Sequence, residues 1–188
     1  MAQNTIMRIK HVEILRENLE LTRPYTIAYK TISSVENVFL LVHLNDGTMG
    51  IGCAAPSVGV TGESVDDSVK ALREIVEPLL RGANIAHFPA LIKQVTQLLK
   101  GKPAAIAAVD IALHDAFCRW QKVRLLDWWG AAHQKMPTSI TIGIGDVDET
   151  LAQAEEHLAN GFKVIKLKTG RSVAEDVEVF CKLREAVG

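Results

Sequence analysis

Two lysines set two positions apart carry the strongest chemical signal in the sequence, in the run Val164-Ile165-Lys166-Leu167-Lys168-Thr169-Gly170. The run reads as a β-strand closing in a turn. Side chains alternate across a strand, so Lys166 and Lys168 share one face with Val164, while Ile165 and Leu167 share the other. In a closed barrel the lysine face is the interior, and Lys168 lies near the carboxyl end, where barrel enzymes hold their active sites. Two ammonium groups at neighbouring interior positions repel each other. Repulsion and desolvation both favour the neutral amine, the form that can remove a proton. Taken alone, such a pair is more often an ordinary solvated strand face, so the surrounding elements decide.

Those elements alternate. Residues 139–144 form a short β-rich run, and 146–160 read as a helix with an acidic start and Gly161 at its end, the expected polarity of a helix. Residues 162–168 form the lysine strand, and Ser172 caps a further helix running to about Val187. The order β-α-β-α predicts a parallel sheet with right-handed crossovers. Two parallel strands do not complete a domain, because parallel sheets are covered on both faces. The chain therefore reads as the amino-terminal part of a larger architecture, stopping at Gly188.

Ahead of Gly130 the character differs. Val12 and Ile14 alternate with His11, Glu13 and Leu15, residues 38–44 are dense in β-formers, and Asn45-Asp46-Gly47 supplies a hairpin turn into a strand over 48–54. A small antiparallel sheet follows, with loops expected over 21–35 and 55–62. Helix begins after Thr61-Gly62-Glu63-Ser64, with Val65, Val69, Leu72, Ile75, Val76 and Leu79 at helical spacing. Pro89 and Pro103 each open another helix, the second an alanine-rich run over 104–120 whose small side chains permit close packing. The predicted organisation is an α+β domain over 1–135, then the first two βα units of a barrel over 136–188.

Other motifs read more plainly. Gly143-Ile144-Gly145 suggests a dinucleotide loop, but Asp148 stands where a third glycine is needed and Asp146 would repel a pyrophosphate. The six histidines show neither HExxH nor HxH spacing, so each reads as structural or exposed. Asp66-Asp67 and Glu155-Glu156 read as solvated helix faces. Trp120, Trp128 and Trp129 lack the basic stripe of a nucleic-acid stacking platform and read as packing residues.

Composition sets the frame. Of 188 residues, 48% are hydrophobic and 23% charged, with a net charge of −1, normal for a globular chain and without the footprint of a nucleic-acid or anionic-membrane binder. The three cysteines have no CxxC spacing, which argues against zinc fingers and disulfide frameworks and points to a reducing cytoplasm. No leader-like segment or membrane span stands out.

The ordered set of motifs resembles the muconate-lactonizing branch of the enolase superfamily. Ala107-Ala108-Val109-Asp110-Ile111-Ala112-Leu113-His114-Asp115 resembles its alanine-rich helix, and Leu125-Leu126-Asp127-Trp128-Trp129-Gly130 the segment leading into its barrel. Arg23-Pro24-Tyr25-Thr26-Ile27-Ala28 and Val60-Thr61-Gly62-Glu63-Ser64 are similar to the two capping loops of dipeptide epimerases. Cys53 after Gly50-Ile51-Gly52, and Val123-Arg124-Leu125-Leu126 ahead of the barrel, depart from the family pattern.

The resemblance implies an enolase-type capping domain on a (β/α) barrel and an isomerase that abstracts a proton next to a carboxylate. A divalent metal, Mg2+ in most of the family, would stabilise the enediolate. It implies Lys168 as the base and Lys166 as its electrostatic helper on the substrate carboxylate. Thr141, Val60, Thr61 and Lys30 become substrate contacts, Lys30 matching a position where an acid-specific dipeptide epimerase carries an arginine. The acidic metal ligands and a second catalytic lysine are expected beyond Gly188. The implied partner is a small molecule, a dipeptide, with neither nucleic acid nor membrane; a homo-oligomer stays open. Muconate cycloisomerase, o-succinylbenzoate synthase and N-acylamino acid racemase share the frame, and a non-catalytic binding or structural domain is the alternative from another class.

Overall fold

Backbone preferences along the chain divide it into an antiparallel region, a helical region and an alternating β-α region. A computed structural model describes residues 6–27 and 30–188, without the side chains of Ile27 and Lys30. Three strands, β1 (Ile9–Ile27), β2 (Lys30–Leu44) and β3 (Met49–Ala54), form one sheet in that order. β2 and β3 are antiparallel, with Val42 opposite Gly50 and Leu40 opposite Gly52. The Asn45-Asp46-Gly47 turn joins them, Gly47 taking the left-handed conformation at φ 90°.

The long reach of β1 and β2 corrects one sequence reading. Most of the stretch expected as a loop over 21–35 is strand. Thr22, Tyr25, Thr26, Thr31, Ile32 and Val35 are β-formers, and Pro24 sits where one side of an outer strand needs no N–H donor.

The helices follow in chain order: α1 (Val58–Thr61), α2 (Val65–Ala71), α3 (Glu77–Leu80), α4 (Phe88–Leu98), α5 (Pro103–Trp120) and α6 (Leu125–Trp129). Between α2 and α3 the chain makes a π-turn over Leu72–Val76, where the N–H of Glu77 reaches back five residues to Leu72 O. Pro78, just beyond it, has no N–H for a normal helical bond and its ring crowds the preceding turn; a widened turn relieves both.

α5 lies against β3 at very close range. Gly50 and Gly52 are buried, and a Cβ on either would overlap the backbone of α5, at Ala112 and Ala116 for Gly50 and at Ala108 for Gly52. Alanines four residues apart on α5 and alternate glycines on β3 thus form one interface. Around it Leu40, Val42, Leu44, Leu72, Leu80, Val109 and Leu113 close a core with at most 2% exposure.

The rest of the chain holds β4 (Ser139–Ile142), α7 (Val147–Ala159), β5 (Val164–Leu167) and α8 (Val173–Val187). β4 and β5 pair in parallel, as the β-α-β-α order predicts. Asp146 and Glu149 form a capping box on α7, and Ser172 caps α8. By internal contacts the chain falls into two compact units: one holds the chain to Leu19 with Glu36–Ala131, the other Glu20–Val35 with Ala132–Gly188.

Candidate active site

The parallel pair fixes which residues share a face. Ile140 stands opposite Ile165, Thr141 opposite Lys166, and Ile142 opposite Leu167. Ile142, Ile165 and Leu167 pack with Ala154 and Leu151 of α7 and Leu183 and Val187 of α8. That apolar face binds the strands to their helices and turns Thr141 and Lys166 to the opposite face. Lys168, two residues on, continues the same face one step past the strand end. Thr141 and Lys166 are exposed and Lys168 is half-buried.

The backbone that carries Lys168 is held on both sides. Its N–H donates to Ile142 O at 3.0 Å, extending the parallel ladder beyond Leu167. Two residues later the N–H of Gly170 donates to the Asp176 carboxylate at 3.0 Å, in the first turn of α8. The turn after the lysine strand is therefore tied to the helix that follows.

The end of β1, at Tyr25 and Thr26, lies against the carboxyl end of β4. The N–H of Ile144 donates to Thr26 O at 3.0 Å. Gly143 is in contact with the same segment: a Cβ there would stand 3.2 Å from Thr26 N. Close approach of another backbone therefore explains the glycine that suggested a dinucleotide loop. Arg23 pairs with Glu156 of α7 at 2.9 Å, both about half exposed, a contact that orients the hairpin more than it stabilises it. Thr26 and Thr31 join across the hairpin, Oγ1 to Oγ1, at 2.9 Å. Lys30 begins β2, but its side chain lies outside the described residues, so its expected substrate contact has no geometry here.

The second expected capping loop belongs to the first unit. Val60 lies on α1, 78% exposed. Thr61 Oγ1 accepts from Ser57 N–H and donates to Ser57 O, both at 3.0 Å, and Gly62 ends the turn at φ 69°. The next residue, Glu63, is fully buried. Its carboxylate accepts from the N–H of Ala104 at 2.7 Å, the N–H of Ala105 at 3.3 Å and Ser68 Oγ at 2.7 Å. The first turn of a helix leaves N–H groups without intrahelical partners and carries partial positive charge. Glu63 answers both at the start of α5, which fastens the Val60–Thr61 segment to the core. Asp67 accepts from Ser64 in a capping box and pairs with Lys102 at 2.8 Å. These hydrogen bonds, that from Lys102 first, hold its carboxyl well below the ordinary value of 3.8.

Sequence reasoning missed the role of Glu63. A carboxylate between Gly62 and a capping serine reads as solvated; only its separation of 41 residues from Ala104, bridged by the fold, makes it a helix cap. Among the described residues of the second unit, no site for a catalytic metal forms. Among the described residues the one group of His, Cys, Asp or Glu with converging ligand atoms is His11, Glu13 and His43, in the first unit, and none lies beside Thr141, Lys166 and Lys168. Cys53, Cys118 and Cys181 are all free. Among the described residues no helix is long and apolar enough to cross a membrane.

A glycine-and-alanine seam between sheet and helix, followed by βα units with paired lysines at a strand end, defines an α+β capping domain and the opening of a barrel of the enolase-superfamily type. Residues 9–130 match the mandelate racemase/muconate lactonizing enzyme amino-terminal domain, and the chain belongs to that family. It is 48% identical, over 95% of its length and 51% of the relative's, to an L-Lys-D/L-Arg epimerase of Desulforapulum autotrophicum. Among solved structures it resembles the dipeptide epimerase of Methylococcus capsulatus complexed with Mg and L-Arg-D-Lys, with TM-score 0.91 and 38% identity over 95% of this chain and 51% of that one. A substrate-liganded L-Ala-D/L-Glu epimerase of Bacillus subtilis follows, with TM-score 0.90 and 29% identity over 96% of this chain and 51% of that one. The chain spans about half the length of the curated relatives it matches.

Proposed function

We propose that this chain supplies the catalytic lysines and the substrate-covering loops of an enzyme that epimerises dipeptides. The observation that carries the reading is the β4–β5 register. Thr141, Lys166 and Lys168 share the face turned away from α7 and α8, at the strand end beside which Thr26 of β1 lies. In the proposed reaction Lys168 Nζ takes the proton from the carbon next to the dipeptide carboxylate. Lys166 offsets the negative charge that develops on that carboxylate, and Thr141 hydrogen-bonds the substrate. Delivery of a proton to the opposite face inverts the centre, which requires a protonated group on that face, a role we do not assign to any residue of this chain.

A divalent cation, Mg2+ as in structures of the relatives, belongs to the complete protein in this reading. The 188 residues alone are not expected to turn over substrate. The substrate class follows the relatives named as L-Lys-D/L-Arg epimerases, so dipeptides with cationic side chains are proposed. Lys30, matched by resemblance to a residue that binds an acidic side chain, favours the opposite charge.

One experiment separates these readings: solvent deuterium incorporation by the complete protein, followed for each epimer of L-Lys-L-Arg and L-Ala-L-Glu. Lys168→Ala should abolish exchange from one epimer and leave residual exchange from the other. Lys166→Ala should slow both. Lys30→Ala should raise activity on the cationic dipeptide relative to the acidic one if Lys30 reads the second side chain. Exchange of both epimers at the unmodified rate by Lys168→Ala would remove it as the base.

A further inference from the structure

The first unit carries a cluster of ligand-type side chains, on the face of its sheet turned from the core. His11 and Glu13 stand two positions apart on β1, with buried Val12 pointing the other way, and His43 stands on β2 between buried Val42 and Leu44. The His11 and His43 rings stack with centroids 4.2 Å apart and planes 10° from parallel. Nε2 of each ring lies near the same carboxylate oxygen, Glu13 Oε1, that of His43 at 3.1 Å and that of His11 at 3.5 Å. The ligand atoms of all three residues lie within 4.8 Å of one another. His43 Nε2 is buried and, despite its nearness to Glu13, forms no hydrogen bond among the described residues, because its donor axis is not aimed at that oxygen. Buried polar nitrogens are nearly always partnered, so this one asks for a partner that the described residues do not supply.

We propose that His11, Glu13 and His43 bind one zinc-class divalent ion across β1 and β2. Two imidazole nitrogens and one carboxylate oxygen are a borderline donor set that suits zinc and its neighbours, with a fourth tetrahedral position left for water. Magnesium is a poor fit, since it demands oxygen ligands in near-octahedral array. Ligation at about 2.0–2.2 Å requires the three side chains to draw together. His11 and Glu13 are 42% and 47% exposed and free to turn, while His43, 22% exposed, is the fixed point. A bound ion would give His43 its missing partner and tie the two strands together. Because such a site exists only in the folded sheet, binding stabilises the fold by mass action.

The test uses the metal-stripped 188-residue chain. Zinc is titrated in competition with a chromogenic chelator, cobalt(II) is used as a spectroscopic probe, and thermal melts are run with zinc and with magnesium. One zinc per chain, intense tetrahedral cobalt bands and a melting temperature raised by zinc but not magnesium are expected. His11→Ala and His43→Ala should each weaken zinc binding at least tenfold, with Glu13→Gln close behind, while Cys181→Ser leaves it unchanged. His11→Asn, at an exposed position, covers the case in which an alanine variant fails to fold. Zinc affinity no tighter than millimolar, affinity that survives His11→Asn, or affinity lost with Cys181→Ser would each overturn the assignment.

Discussion

Glu63 shows how one side chain can tie the Val60–Thr61 segment to the core. It is buried, and three hydrogen bonds converge on its carboxylate, two of them from the start of α5. Glu63→Ala would strand two buried N–H groups as well as remove the acceptor. Leaving buried donors unsatisfied costs on the order of 3 kcal/mol, or roughly 6–12 °C in melting temperature for a chain of this size; thermal unfolding checks it. Asp67 makes a prediction about acid. Its carboxyl is depressed by Lys102 and Ser64, so the folded state holds the charged form more strongly than the unfolded chain does. The stabilisation is then complete above the ordinary value of 3.8 and is lost as pH falls through the depressed folded value. Denaturation of the native chain and of Asp67→Asn should give a stability gap that is constant from neutral pH to about 5 and closes on strong acidification. A gap that widened in acid would contradict the pairing. The shared face of Lys166 and Lys168 was legible at this scale because strand alternation is local; the role of Glu63 was not, because its partners lie far along the chain.

At the level of elements, the β3–α5 seam should tolerate nothing larger than glycine. Gly52→Ala would drive a methyl into the Ala108 backbone, which neither backbone can yield without separating. Overpacking a tight core costs roughly 1–3 kcal/mol and sometimes more, and the backbone clash places this change at or above the upper end. Chemical denaturation of Gly52→Ala beside Gly59→Ala, where an added Cβ meets nothing, should show a large loss for the first and a small one for the second. The alanine-rich helix and its Pro103 start were readable from sequence, as was every element of the β-α-β-α stretch. The Leu21–Val35 stretch was not. Pro24 and a string of polar residues look like a loop, whereas the β-formers among them extend strands already begun in β1 and β2.

For the whole molecule, what could not be read is juxtaposition. His11 and His43 are 32 positions apart in sequence and stack only because β1 and β2 pair. The second unit holds a two-stranded parallel sheet, with Thr141 and Lys166 exposed on one face. Parallel sheets are stable when covered and flanked, and open edges recruit other chains. The 188-residue chain should therefore self-associate, its light-scattering mass rising above 20.6 kDa with concentration. A mass that stayed at the monomer value throughout would mean that the pair needs no neighbours.

The extension of β1 and β2 into a hairpin also limits how this protein can diversify. Along paired strands each residue's face is set by parity, so gaining or losing one residue in Glu20–Val35 would turn every later side chain of that arm over. A true loop could lengthen by any number. Lineages that retune this arm should therefore do so by exchanging residue types in place, or by indels of two within its strands.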